Sequence, residues 1–112
     1  MRVYVAGKYS DNNVLSVLRN IKHGISVATK IMKLGHSPFC PWLDYQFILM
    51  EQGETLNVDD FYRYSMDWLK VSDCLVVLDG WESSTGTIAE IETAKKLGIP
   101  IYYGLDEFMA AY

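Results

Sequence analysis

The sequence predicts a single three-layer α/β domain, a parallel sheet of four to five strands with helices on both faces. Three observations predict it. Segments 2–6 and 73–78 are, after an opening Arg2 and Asp73, apolar at consecutive positions, which marks strands covered on both sides. Segments with helical spacing separate the strand-like ones, and such alternation gives parallel sheets joined by right-handed crossovers. Finally, 112 residues is the length of one domain, here residues 1–112, and no repeat, low-complexity stretch or internal boundary divides it.

The elements follow in order. Residues 2–6 form the first strand, and 7–13, Gly-Lys-Tyr-Ser-Asp-Asn-Asn, break it as a loop. Residues 13–34 have helical spacing, with Val14, Leu18, Ile21, Ile25, Ala28 and Met32 along one expected buried face. Gly24 weakens the middle of this helix by roughly 1 kcal/mol relative to Ala, and Gly35 suits its C-terminal cap. Residues 36–41 carry a proline on each side of a short strand, the pattern of a sheet edge. Residues 42–57 read as a long connection with a short helix, expected to act as a mobile flap.

Residues 58–71 return to helix, with Asp59 and Asp60 in the favourable first turn and Phe61, Tyr64, Trp68 and Leu69 on the apolar side. Trp42 and Trp68 are expected in the core. Residues 73–78 form a buried strand, and 87–97 a helix closed by Gly98 and followed by Pro100. Residues 100–103 form the last strand and 105–111 a terminal helix. The order βαβ-(α)-αβαβα is flavodoxin- or Rossmann-like.

Composition narrows the function. Half the residues are hydrophobic, so a domain of this size removes roughly 60–70% of its unfolded surface from water. A net charge of −4 with ten scattered basic residues argues against a nucleic-acid groove, which needs clustered Lys and Arg. One small anionic ligand remains open. Cys40 and Cys74 lie in apolar stretches and read as reduced packing residues. No CxxC or HxxxH pair supports zinc. The N-terminus reads as a strand rather than a signal peptide. No run approaches the ~18 apolar residues of a membrane span. A cytoplasmic protein that avoids membranes is the expectation.

The chemistry is expected at the carboxyl edge of the sheet, where open α/β folds bind ligands. Ser83-Ser84-Thr85-Gly86-Thr87 offers hydroxyls and backbone N–H groups at a helix N-terminus, a natural anion site. It is not a Walker loop, because no Gly-Lys-Ser/Thr follows. Glu90 has two readings. Thr87-Ile88-Ala89-Glu90 matches a capping box, with Glu90 in the first turn reaching back to Thr87. A carboxylate near a helix N-terminus is also favoured as the ion, the form a nucleophile for a sugar carbon must take.

Gly86-Thr-Ile-Ala-Glu90-Ile-Glu-Thr-Ala94 resembles the signature of nucleoside 2-deoxyribosyltransferases and of their relatives, the deoxynucleoside 5′-monophosphate N-glycosidases. Gly80-Trp-Glu-Ser-Ser-Thr-Gly86 resembles short uncharacterised bacterial and phage members, and Val3-Tyr4-Val5-Ala6-Gly7 their first strand and loop. The resemblance is densest at 2–9 and 64–103.

It implies a glutamate nucleophile, Glu90, that attacks C1′ of a 2-deoxynucleoside, expels the base and forms a glycosyl-enzyme ester resolved by water or a second base. Tyr4 would orient Glu90. Ser84 and Gly86 would bind the 5′ end of the nucleotide, with Gly7, Lys8 and Tyr9 facing the same group. The resemblance implies no metal or cofactor, a nucleoside or nucleotide as small-molecule partner, and a homodimer or larger homo-oligomer. Lys8 has the plainer reading of a solvated lysine. Trp81 and Tyr9 are candidates to stack on a base or ribose.

One departure stands out. The family usually carries an aspartate eight residues before the one that starts the next strand, and counting back from Asp73 gives Ser65. The carboxyl expected to handle the leaving base is therefore missing. Asp67 lies roughly 200° around the helix from that position. Asp79, after strand 73–78, is a candidate replacement, against its reading as a turn residue before Gly80. Asp73 itself reads as structural. Three functions therefore stay open: an N-glycosidic-bond enzyme, a nucleotide-binding or sensing module that lost the chemistry, and a structural domain whose Glu90 only caps a helix.

Overall fold

The computed structural model describes residues 1–50 and 56–112. Strands β1 (Arg2–Ala6), β2 (Ser37–Phe39), β3 (Cys74–Val77) and β4 (Ile101–Tyr103) form one parallel sheet in the order β2-β1-β3-β4. Val3 pairs with Pro38 on one side and Cys74 on the other, and Leu75 pairs with Ile101. The central strands are covered on both faces, with Val3 to Ala6 and Cys74 to Val77 all buried. The expected α/β three-layer fold is the one observed.

Helices α1 (Val14–Lys33) and α5 (Leu105–Ala111) cover one face. There Val3, Val5 and Val76 pack with Val27, Ile31, Trp42 and Phe108. Helices α3 (Val58–Lys70) and α4 (Thr85–Leu97) cover the other, where Tyr4, Ala6, Leu75 and Val77 meet Leu69, Ile91 and Ala94. Between β2 and α3 the chain makes a 3-10 turn, Pro41–Asp44, and a short helix α2, Tyr45–Met50. The middle of the connection expected as a flap, residues 51–55, lies outside the described residues. No described helix is long and apolar enough to cross a membrane.

The helix ends follow local chemistry. The Asn13 side chain accepts from Ser16 N–H at the start of α1. Past its end Gly35 has φ 94°, which only glycine takes at little cost, and His36 N–H returns to the Ile31 carbonyl. Asn57 and Asp60 form a reciprocal capping box on α3. Both cysteines are free and buried as expected, and burial pushes each thiol up to about 11.

Two packing expectations need correction. The buried face of α1 is Gly24, Val27, Ala28 and Ile31, with Ile21 at its border, while Val14, Leu18, Ile25 and Met32 are exposed. At ~100° per residue the observed face lies roughly 90° around the helix from the expected one. The cause is Trp42. A Cβ on Gly24 would overlap Trp42 Cζ2, so the glycine is a notch that seats the indole. Trp42 is buried as expected, but Trp68 is half-exposed and stacks on Phe39 with ring centroids 5.5 Å apart. Leu69 and Ser65 take the buried positions of α3.

Candidate active site

The chain runs from β1 out to the edge strand β2, then back across β1 to β3 and β4. The strand order therefore reverses between β1 and β3, and a crevice opens beyond their carboxyl ends. A cavity of about 430 Å³ lies there, within the usual size of small-molecule sites. Gly7, Lys8 and Tyr9 line it after β1, Trp42 and Asp44 after β2, Phe61, Tyr62 and Ser65 from α3, and Ser84, Gly86 and Glu90 from α4.

The start of α4 differs from expectation. Ser84 is the N-cap, and its hydroxyl accepts from Thr87 N–H at 3.3 Å and pairs with Thr87 Oγ1 at 2.9 Å. The helix begins at Thr85, so Glu90 is its sixth residue and stands in the second turn. The capping box expected between Thr87 and Glu90 is therefore not formed. Its side chain instead faces the sheet, where the Tyr4 hydroxyl donates a hydrogen bond to Glu90 Oε2.

Both partners are buried, Glu90 at 8% exposure and Tyr4 at 0%. Burial pushes the Glu90 carboxyl from 4.5 up to about 7, against the opposing pull of the Tyr4 bond. Burial first, then the charge of Glu90, drives the Tyr4 phenol far above its ordinary value, so it remains a donor. Ser65 stands close enough to the same phenol to lower it slightly against these effects. The result is a carboxyl that reaches the cavity, is held from behind by an obligate donor, and titrates near neutrality.

The remaining sequence candidates divide. Gly7 packs tightly, since a Cβ there would stand 2.9 Å from Leu78 Cδ1. Lys8 lines the cavity and pairs with Asp11 at 3.9 Å. Tyr9 lines it and is half-buried, its phenol raised by burial and then by Asp44. Gly86 faces Tyr62 at ordinary contact distance. Asp79 and Trp81 do not line the cavity: Asp79 is an exposed turn residue before Gly80 (φ 87°), and Trp81 lies against Tyr103 with centroids 5.5 Å apart. Asp73 accepts from Arg2 N–H at 2.7 Å at the opposite end of the sheet, a structural role.

One residue escaped the sequence reading. Asp44 ends the turn after β2, is 8% exposed, and lines the cavity. Its Oδ1 is buried with no hydrogen-bond partner among the described residues. Burial raises its carboxyl from 3.8 to about 6, against a smaller lowering by its own backbone N–H. A signal did exist: β2 is parallel to β1, so a carboxylate just past its end falls at the ligand edge.

Residues 1–103 match the family described as a domain of unknown function, DUF4406. The chain belongs to that family. No curated protein matches this DUF4406 chain. Solved structures share its fold, among them the following two. A 2-deoxyribosyltransferase from the psychrotolerant bacterium Bacillus psychrosaccharolyticus superposes with a TM-score of 0.68 at 19% identity, over 91% of this chain and 70% of that one. A conserved protein from Enterococcus faecalis V583 superposes with a TM-score of 0.71 at 19% identity, over 96% of this chain and 70% of that one. The DUF4406 chain thus has the 2-deoxyribosyltransferase fold that its sequence resembled.

Proposed function

We propose that this protein cleaves, or transfers across, the N-glycosidic bond of a 2-deoxynucleoside or its 5′-monophosphate. The observation that carries the reading is Glu90, buried at the wall of the cavity with the Tyr4 hydroxyl bonded to it. A glutamate there can attack C1′ as the carboxylate, and Tyr4 holds the reacting oxygen in line. The bond from Tyr4 also favours the ionised form, which offsets part of the desolvation penalty. The substrate's 5′ end lies against Gly7, Lys8, Ser84 and Gly86, and its base against Tyr9. The resulting ester is resolved by water or a second base, a route that needs no metal or cofactor.

The test is incubation with a panel of 2-deoxynucleosides and their 5′-monophosphates, with chromatography for free base. Release of base by the wild type and its loss in Glu90→Ala support the reading. An inert wild type overturns it. Ser65, where the resemblance leads one to expect an aspartate, favours a second reading, a binding or sensing module. Ligand-dependent thermal stabilisation without turnover selects it.

Val14, Leu18, Ile25 and Met32 form an exposed apolar stripe along α1. Their spacing of four, seven and seven residues fits the seam between paired helices. We propose that a second copy of the chain covers it, giving a homo-oligomer.

A further inference from the structure

The proposed reaction leaves one chemical demand unmet. When C1′–N breaks, the electron pair goes to the base, and a neutral base leaves only if it gains a proton. Ser65 occupies the position where a carboxyl was expected, and a hydroxyl is too weak an acid for this task. Asp67 is exposed beside Lys70, 4.0 Å away, and Asp79 is outside the cavity wall. Asp11 is engaged with Lys8. Among the described residues, the carboxyls that line the cavity are Glu90 and Asp44.

We propose that Asp44, delivered by the turn after β2 rather than by α3, is the acid that protonates the leaving base. This inference rests on the glycosidic reading above. Asp44 Oδ1 is buried and has no hydrogen-bond partner among the described residues, so the side chain offers a hydrogen-bonding position in a site of small-molecule size. A buried carboxyl without a partner favours its protonated form. It lies close enough to Tyr4 and Tyr9 for its charge to raise both phenols. It lines the same cavity as Glu90 but is delivered by the turn after β2, whereas Glu90 comes from α4.

The step balances. A Glu90 oxygen forms the bond to C1′ as C1′–N breaks, and the Asp44 proton passes to the base, leaving Asp44 as carboxylate. In the second half, Asp44 takes a proton from the attacking water, or from the incoming base, as the ester opens and Glu90 is released. Hydrolysis thereby consumes one water and returns both carboxyls to their starting states.

The experiment compares 2′-deoxyguanosine with 7-methyl-2′-deoxyguanosine, whose base departs neutral without a proton; each is supplied as nucleoside and as 5′-monophosphate. Asp44→Asn should slow cleavage of the unmethylated substrate by roughly 10²–10⁴-fold, the range of general acid catalysis, and the methylated one by less than about threefold. Asp44→Ala serves as the second variant, with added formate restoring at least part of its lost rate on the unmethylated substrate. Equal slowing of both substrates by Asp44→Asn, or no slowing, overturns the assignment of Asp44. In that case turnover by the wild type and its loss in Glu90→Ala still leave the glycosidic reading standing. A wild type inert on every substrate overturns both.

Discussion

Replacing Glu90 by Gln should remove a pH-dependent weakness from the fold. The Glu90 carboxyl ionises near 4.5 when unfolded and near about 7 when folded. Between these values the native state keeps a proton that the unfolded chain has already released. Native stability therefore falls as pH rises through that window, and the loss is complete above about 7. From pH 5 to pH 8 this single group costs roughly 2–3 kcal/mol, at about 1.4 kcal/mol per pH unit. The Gln amide has its own burial penalty, but that penalty does not vary with pH. The quantity to measure is thus the stability difference between Glu90→Gln and wild type, by urea unfolding at pH 5 and pH 8. The variant should gain roughly 2–3 kcal/mol relative to wild type between the two, or roughly 10 °C in Tm. Asp44 titrates in both proteins and so cancels in the comparison. Parallel pH profiles would show that Glu90 is not ionising in a desolvated site, and the reasoning about its environment would fail.

Other outcomes follow from the same geometry. Tyr4→Phe removes the bond that favours the Glu90 carboxylate. At about 1.5–3 kcal/mol for a hydrogen bond to a charged group, the limb of the pH–rate profile that reports Glu90 should move up by about one to two pH units. Ser84→Ala removes the cap of α4 and should cost about 1 kcal/mol in denaturant unfolding. The homo-oligomer proposed above should fall to monomer in light scattering when Leu18 and Ile25 are replaced by glutamate, with the secondary structure seen by circular dichroism unchanged.

Much of the fold was legible in the sequence because its strands and helix ends are locally determined. The central strands are apolar on both faces, and Asn13, Gly35 and Gly98 bound their helices through side-chain or glycine chemistry that needs no distant partner. The α1 face was misread because the helix carries two apolar stripes. Spacing cannot choose between them, and Trp42, eighteen residues beyond Gly24, does. The start of α4 was misplaced because Ser83, Ser84, Thr85 and Thr87 can all cap a helix. Only the structure shows that Ser84 is the one that does.

The candidate site was legible only in part. Tyr4 and Glu90 were paired by family resemblance, since 86 residues separate them and no periodicity links them. Asp44 was passed over in a stretch with neither strand nor helix pattern. Its importance comes from the end of a neighbouring parallel strand, a topological fact rather than a local one.

The tryptophan seated against Gly24 stands two residues ahead of Asp44 on the same short turn. That turn is thereby anchored to the first helix like a peg in a socket, which fixes where Asp44 stands in the cavity wall. The missing methyl group of one glycine, on a helix that contributes no described residue to the cavity wall, thus sets the position of a buried carboxyl in that wall. Filling that socket would retune the chemistry from a distance.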